Sequence, residues 1–356
     1  MLKKTALILF LAFFCYAFLA AYNPQFLGED MYQFVSPDAL SISGSVTGGP
    51  VQSVEIEDIG VNPALIAGEQ RPAITLSGSL LFQSKVSEAP YAQQKGGAAQ
   101  LGMLYPTRVG VAALDLQWID LPEGRINYGN SFTIRGAFAK DLIDDVYLGL
   151  GLYGTFGDGW AFAGDLGLWC NIHTVKWLPF MKDCRWGFSL TGMGRGYRPK
   201  NVTGVIKAGD ALSGTPSPFT PHFGLAGSFV DVKNFKGGFS FDLSAPTWQN
   251  VIFNPALQFV FFNMINLNCG WDFNLREFIA TKVVCAPAVS LSFRFNFTAS
   301  KNTDSFIAKQ GWSQSEMDVA GGYRYVTDGI HAVAAGVTIY TGQKDTEPPV
   351  INLWEE

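Results

Sequence analysis

Apolar and polar residues alternate along much of the chain, most regularly in the stretch VSLSFRFNFT at residues 289–298. Every second residue of this stretch is Val, Leu or Phe, and the residues between them are Ser, Arg, Asn or Thr. Because successive side chains of a β-strand point to opposite faces, the pattern predicts a strand with one oily and one polar face. Such a strand fits either over a soluble core or between lipid and an aqueous lumen.

Similar alternating segments return between turn signals, and we predict about fourteen strands from them. The segments YLGLGLYG and WAFAGDLGLW, for example, flank Gly157-Asp158-Gly159, which is a hairpin signal. The predicted strands span residues 72–83, 98–105, 107–119, 128–140, 145–156, 159–171, 186–199, 219–232, 235–248, 254–264, 266–275, 286–299, 313–326 and 329–341.

The predicted connections contain one conflict. Long polar connections fall at 84–97, 200–218, 276–285 and 300–312. If the barrel starts on the periplasmic side, the connections at 171–185 and 300–312 lie on the side where turns should be short. The strand count could therefore be in error by one or two.

The composition of the non-oily face favours a membrane barrel over a soluble sandwich. This face carries Gly, Ala, Ser and single charges such as Asp165 and Asp242, whereas an exposed soluble face would be richer in Lys, Glu and Thr. A ten-residue strand rises ~3.3 Å per residue and, tilted by roughly 45°, crosses about 23 Å, which matches the apolar band of an outer membrane. The sequence thus predicts an all-β, transmembrane antiparallel barrel at residues 72–341.

The start of the chain indicates export. Residues 1–21 read MLKKTALILFLAFFCYAFLAA, which has the basic, apolar and small-residue regions of a signal peptide. No later run of uncharged apolar residues is long enough for a transmembrane helix. The 356 residues carry a net charge of -5 without a basic block, so we expect no nucleic-acid partner. The predicted location is the cell outer membrane, with the lipid bilayer around a monomer.

Residues 22–71 lack the alternation that marks the predicted strands. Such a segment could fold into the barrel as a plug or lie outside it as a leader. Its apolar residues at 56, 59, 61, 65 and 66 favour an ordered, packed element, so we predict an N-terminal hatch over 22–71. Residues 342–356 follow the last predicted strand as a C-terminal tail.

Sequence motifs for catalysis or cofactors are weak. Gly149-Leu-Gly151-Leu-Tyr-Gly154 matches a dinucleotide-binding pattern, but its glycines lie inside an alternating strand, where they more plausibly relieve crowding or allow close backbone approach. The three histidines occur without a G-x-S-x-G motif, which leaves an outer-membrane phospholipase as a minor alternative. We predict a protein that is not an enzyme and that has no cofactor or metal site.

Four cysteines follow the signal segment, and two interpretations of them stay open. The near pairs Cys170 with Cys184 and Cys269 with Cys285 are the simplest disulfides in an oxidising compartment. The equally weighted alternative is four apolar residues on strands.

Four arginines are predicted to lie opposite the aromatic residues of their strands, and therefore in the lumen: Arg135, Arg195, Arg294 and Arg324. A guanidinium matches a carboxylate bidentately, so these side chains are candidates for binding a carboxylate cargo. The favoured alternative is that they pair with Asp115, Asp165 and Asp242 and fix the shape of the barrel.

The passage DIGVNPA at residues 58–64, followed by LIAGEQRPAITLSGSLLF, resembles the hatch-to-first-strand passage of FadL-like long-chain fatty acid transporters. More closely, the whole chain resembles a spirochaete family of FadL-like outer-membrane proteins. The resemblance implies that Asn62, Pro63 and Ala64 lie in a hatch that plugs a fourteen-stranded barrel. It also implies a hydrophobic cargo, with a fatty acid as the leading candidate.

The chain departs from this resemblance in two ways. The last predicted strand ends at Tyr340 and is followed by TGQKDTEPPVINLWEE, so the chain does not finish on a terminal aromatic. In addition, no ligand-binding motif of the transporters can be matched residue by residue. Passive uptake of a hydrophobic small molecule leads our functional interpretation, with a surface scaffold or secretion-assembly factor as the alternative. We expect Asn62 to hold the hatch rather than to bind cargo.

Overall fold

The structure is a computed structural model of the chain. It describes residues 34–42, 45–51, 54–83, 95–120, 130–157, 159–173, 181–196, 219–248, 250–275, 278–279, 287–299, 314–326 and 330–342. The predicted signal peptide, all but the first residue of the predicted tail, and Cys285 lie outside these ranges.

One antiparallel sheet contains all the strands of the described residues. Neighbours in the chain are mostly neighbours in the sheet, as expected for strands joined by hairpins. The strands are β1 Ala73–Gln83, β2 Lys95–Thr107, β3 Gly110–Asp120, β4 Asn130–Ile143, β5 Val146–Gly157, β6 Trp160–His173, β7 Lys182–Arg195, β8 Thr220–Val232, β9 Phe235–Ser244, β10 Ile252–Phe261, β11 Ile265–Gly270, β12 Phe273–Asn274, β13 Ala288–Thr298, β14 Gln314–Val326 and β15 Ile330–Tyr340.

The sheet closes into a barrel of fourteen strands. The last strand, β15, pairs with β1, while β11 pairs with β10 on one side and β13 on the other. The two-residue β12 continues the line of β11 after a break at Trp271 and Asp272 and pairs with β10, so β11 and β12 count as one barrel strand. The predicted count of fourteen is therefore confirmed. Among the described strands, closure leaves no unpaired sheet edge, which a lipid environment requires.

The two faces of the barrel differ as the alternation predicts. Large apolar side chains are exposed on the outside, such as Leu80 at 71% and Leu152 at 60%. Their strand neighbours, such as Ser79 and Gly151, point inward. A continuous exposed apolar surface of this kind would be a liability in water and suits lipid. In the described ranges, no helix is long and apolar enough to cross a membrane.

Residues 34–42, 45–51 and 54–71, which we name the inner segment, pack against the inward faces of the strands. They contain one short helix, α1 Pro37–Ile42, and two 3₁₀ turns, Ile56–Gly60 and Pro63–Gly68. The helix contacts β11, β13, β14 and β15, whereas the second turn contacts β3 to β6. The apolar residues that predicted a packed element are all buried: Ile56, Ile59, Val61, Leu65 and Ile66.

The strand ends define two ends of the barrel. At the proximal end, where β1 begins, short turns join β2 to β3, β4 to β5, β8 to β9 and β10 to β11. The longer connections after β6 and β13 lie at this same end, as the sequence predicted. The conflict over strand number is thus resolved in favour of fourteen strands, because two connections are simply longer than the other turns at this end.

Candidate functional site in the barrel interior

Asn62 anchors the middle of the inner segment through three hydrogen bonds. Its backbone is extended, and its side-chain oxygen accepts from the N–H of Ala64 at 3.1 Å, which caps the 3₁₀ turn that Pro63 starts. Its side-chain nitrogen donates to the carbonyl of Thr47 at 2.9 Å and to the carbonyl of Leu168, on β6, at 3.1 Å. The amide therefore ties together two parts of the inner segment and the wall, while Pro63 fixes its own φ and biases Asn62 away from helix.

Glycines on the inward faces of β5, β6 and β7 let this motif touch the wall. A Cβ added to Gly149 would meet the backbone of Pro63 and Ala64, and one added to Gly167 would meet the side-chain oxygen of Asn62. Close backbone approach is one of the two roles that the sequence predicted for the glycines of β5. What the sequence did not reveal is which segment approaches them, since that depends on how the inner segment folds.

The inner segment also donates backbone N–H groups to polar residues of the wall. The N–H of Thr47 donates to Asp242 at 2.8 Å, and that of Val51 donates to Gln258 at 2.8 Å. These inward side chains replace the partners that a regular helix or strand would supply, which a buried irregular backbone needs.

Acidic residues dominate the opposite side of the inner segment. Asp38 accepts hydrogen bonds from Asn268 at 2.8 Å and Ser290 at 2.9 Å, and Glu55 accepts one from the hydroxyl of Tyr340 at 2.9 Å. Glu57 accepts a hydrogen bond from Ser36 within the segment. Burial, followed by the nearby charges of Asp318 and Glu57, raises the pKa of Asp38 to about 7.

A small cavity lies between this acidic side and the wall. Its volume of about 20 Å³ is enough for roughly one water molecule. The lining includes Asp38, Glu55 and Glu57 from the inner segment and Asp318 from β14. We name these four residues the acidic face. Hydroxyl groups of Ser36, Thr75, Ser77 and Thr338 complete the polar part of the lining.

Arginines stabilise this region through ion pairs. Arg71 contacts Glu69 at 3.0 Å and Glu316 at 2.7 Å, and its guanidinium lies 4.7 Å from the centre of the Tyr340 ring. Arg294 pairs with Asp318 at 3.0 Å, and Arg324 pairs with Asp272. The predicted partners Asp115, Asp165 and Asp242 are wrong for Arg294 and Arg324, because strand pairing and closure of the barrel bring Asp318 and Asp272 beside them instead.

Arg135 lies on the inner wall between two carboxylates. It is directly opposite Asp115 on β3, and it lies over the ring of Tyr153, with 5.2 Å from guanidinium carbon to ring centre. Asp165 on β6 points into the same region and accepts a hydrogen bond from the N–H of Gly192 at 2.7 Å. The geometry places Arg135 where the sequence expected it.

Arg195 does not point into the lumen, so its predicted position is wrong. It pairs in register with Phe162, whose side chain is exposed on the outside, and its guanidinium carbon lies 3.6 Å from the centre of the Trp160 ring. The reason is a register shift between β6 and β7, where one extra residue separates Leu190 from Met193. A single inserted residue moves every following side chain to the other face.

The predicted disulfide pairs are not formed. Cys170 and Cys269 carry free thiols, so neither the pair 170 with 184 nor the pair 269 with 285 forms a disulfide. Cys170 faces Trp186 across the β6–β7 ladder, and Cys184 lies opposite His173 beyond a second register shift. The alternative interpretation, cysteines as apolar strand residues, describes Cys170 and Cys269.

The histidines have structural contacts in the described part of the chain. His173 contacts Asp145 at 3.0 Å, His222 contacts Thr191 at 3.1 Å, and the hydroxyl of Tyr323 lies 2.8 Å from His331. None of these pairs joins a histidine to a serine. Within the described ranges, no group of three or more His, Cys, Asp or Glu side chains is placed to hold a metal ion.

One arc of the distal half of the interior is apolar. We name six inward residues of β1, β2, β3, β6 and β15 the distal apolar wall: Leu81, Ala98, Ile119, Ala161, Ala332 and Ala334. They form one buried cluster with Phe34, Val35, Ala39 and Leu40 of the inner segment, and Tyr153 packs against it. The sequence indicated small inward residues but not that they gather at one end.

No protein-family model matches the chain, and no curated protein matches it. Among solved structures, the deltaS2 mutant of the TodX monoaromatic hydrocarbon channel matches with a TM-score of 0.52 and 10% identity, covering 88% of this chain and 100% of that chain. The CymD monoaromatic hydrocarbon channel matches with a TM-score of 0.51 and 11% identity, covering 91% and 100%. A Pseudomonas aeruginosa FadL homologue has a TM-score of 0.45 and 10% identity, covering 86% and 97%.

At these identities, the TodX and CymD matches establish a shared fold and leave the cargo of this chain open. They agree with the barrel predicted from the sequence. None of the matches supports the narrower resemblance to a spirochaete family.

Proposed function

We propose that this chain is an outer-membrane channel for passive uptake of hydrophobic small molecules, with long-chain fatty acids as its cargo and the inner segment as its plug. One observation carries the proposal. The interior combines a distal apolar wall, against which the first residues of the inner segment pack, with a proximal half that the rest of the segment fills. An apolar surface at one end favours hydrophobic molecules, and a filled proximal half prevents free diffusion of polar ones.

The names of the structural neighbours support a hydrophobic cargo, since two of them are channels for monoaromatic hydrocarbons. A fatty acid requires in addition a partner for its carboxylate. Arg135 is suited to that role because it lies over Tyr153, and Tyr153 packs against the distal apolar wall. Asp115 lies opposite Arg135, so the carboxylate of the cargo competes with that of Asp115 for the guanidinium.

Uptake into liposomes that carry the purified chain tests the proposal. We expect a labelled long-chain fatty acid to enter faster than into empty liposomes, and a sugar of similar mass to enter no faster. A monoaromatic hydrocarbon is the matched comparison, because it shares the apolar character of a fatty acid but lacks the carboxylate. Equal uptake of the fatty acid and the hydrocarbon would support a channel for hydrophobic molecules but contradict specificity for fatty acids. Uptake of neither would favour the scaffold or secretion-assembly alternative.

The proposal also places the chain in the outer membrane as a monomer. We expect heat-modifiable migration on gels and solubility only in detergent, because the outer face of the barrel is apolar. A chain that stays monomeric in buffer without detergent would contradict this location.

A further inference from the structure

The acidic face concentrates negative charge in a buried place. Four carboxyl groups line the small cavity, three from the inner segment and one from β14, and the lining contains no basic residue among the described residues. The nearest compensation is Arg294 on β13, which pairs with Asp318. One guanidinium does not balance four ionised carboxylates, so the charges must be neutralised in another way.

Two carboxylate oxygens in this lining lack a hydrogen-bond partner in the described part of the chain. These are Oε2 of Glu57 and Oδ1 of Asp318, and both residues are more than nine-tenths buried. The other oxygen of each group is satisfied, by Ser36 for Glu57 and by Arg294 for Asp318. For Glu57, whose pKa burial raises, the oxygen without a partner is costly when the group is ionised, and this cost is relieved when the group carries a proton.

Protons fit the cavity better than a metal ion does. The volume suits roughly one water molecule, and no group of three carboxylates in the described ranges is arranged as metal ligands. Burial and the neighbouring carboxylates raise the pKa of Asp38 to about 7 and that of Glu55 well above its usual range. Burial also raises the pKa of Glu57. Protonated carboxyl groups are therefore favoured as long as the inner segment is docked.

We propose that the acidic face is a proton-operated latch, which holds the inner segment against β13 to β15 when Asp38, Glu55 and Glu57 are protonated and loosens it when they are ionised. This inference rests on the proposed role of the inner segment as a plug. Asp38 is faced by Asp318 from β14, by Glu57 from the inner segment and by the neutral Asn268 and Ser290. Beyond these, Arg294 lowers the pKa of Glu55, and the hydroxyl of Tyr340 donates a hydrogen bond to Glu55. Asp115 of β3 raises the pKa of Glu57, and Asp58 of the inner segment lies within the field of both Glu57 and Asp38.

The direction of the pH effect follows from the raised pKa values. A carboxyl group with a higher pKa in the docked state binds its proton more tightly there, so docking is strongest at low pH and weakens as pH rises through the docked pKa. For Asp38 alone, with a docked pKa of about 7 and an ordinary pKa of 3.8, docking weakens about tenfold between pH 6 and pH 8.

Ion conductance of the full chain in planar bilayers, recorded across this pH range in the presence of a chelator, tests the latch. We expect the open fraction to rise about tenfold between pH 6 and pH 8. Asp38→Asn should flatten this rise, because the amide keeps the shape and does not titrate. Asp144→Asn, at an exposed turn position, is the matched control and should retain the wild-type rise.

Three outcomes would overturn the latch. The first is a full pH response in both Asp38→Asn and Glu57→Gln. If Asp38→Asn does not assemble, a full pH response in Glu57→Gln alone has the same meaning. The second is a wild-type chain whose conductance does not change with pH. The third is closure at pH 8 by calcium or magnesium at millimolar concentration, which would assign the acidic face to a metal ion. Because conductance is measured without cargo, the latch can be tested even if the chain does not take up fatty acids. Failure of the proposed function is therefore distinguishable from failure of the latch.

Discussion

The Asn62 motif and the acidic face hold the same inner segment against different arcs of the wall with different chemistry. At the Asn62 motif, uncharged amide and carbonyl groups meet a surface made accessible by Gly149 and Gly167. At the acidic face, the carboxyl groups of the inner segment meet Asp318, Tyr340 and polar side chains of β13 to β15. The first contact depends on shape and does not titrate, whereas the second depends on protonation. A segment held in this way can be loosened on one side while it stays attached on the other.

Adding a methyl group at Gly149 should break the shape-dependent contact most severely. In Gly149→Ala the new Cβ would meet the backbone of Pro63 and Ala64, which cannot rotate away as a side chain can. We expect docking of the inner segment to weaken by about 3 kcal/mol, with a large increase in conductance. Gly136→Ala is the control, because its added Cβ has its nearest neighbour, the carbonyl oxygen of Ala113, at 3.9 Å. Equal conductance of the two variants would contradict the close contact.

Removing the Asn62 amide should have the next largest effect. Asn62→Ala leaves the Thr47 carbonyl and the Ala64 N–H without this partner, at a cost of about 2 kcal/mol. We expect more leak of small polar solutes into liposomes, by a factor that does not change with pH, and normal heat-modifiable migration. Asn62→Asp sharpens the test, since it keeps the acceptor and loses both donors. Unchanged leak together with lost fatty-acid binding would assign Asn62 to the cargo site instead.

Arg71 tests the point at which the inner segment continues into β1. Arg71→Lys keeps the charge but cannot reproduce the contacts of the guanidinium with both Glu69 and Glu316. We expect a loss of about 1 kcal/mol in docking, visible as a modest rise in leak. Arg324→Lys, which alters an ion pair with Asp272 away from this junction, is the control. A rise in leak as large as that of Asn62→Ala would show that the junction contributes as much to docking as the Asn62 motif.

Arg195 should give the smallest effect, because it lies on the outer face of the barrel. Its contact with the Trp160 ring is partly exposed, so Arg195→Ala should cost about 0.5 kcal/mol in barrel stability. Fatty-acid uptake should be unchanged, whereas Arg135→Ala should reduce it if Arg135 holds the carboxylate. Lower uptake in Arg195→Ala at normal assembly would be inconsistent with an outward side chain.

The period-two alternation in stretches such as residues 289–298 was sufficient to predict strands, their number and the two faces of the barrel, because inward and outward environments impose it residue by residue. The Asn62-Pro63 pair likewise indicated a defined bend, since proline restricts both residues locally. The bend itself is present as an extended Asn62 that caps the following turn.

Only the tertiary structure decided which residues meet. The extra residue between Leu190 and Met193 moved Arg195 to the outside, and register separated Cys170 from Cys184. Asp38, Glu55 and Glu57 come together with Asp318 only after the barrel closes around the inner segment. Alternation reports the local environment of each strand, whereas register shifts and contacts between distant segments depend on the whole closed barrel, so a single sequence does not encode them in any local pattern.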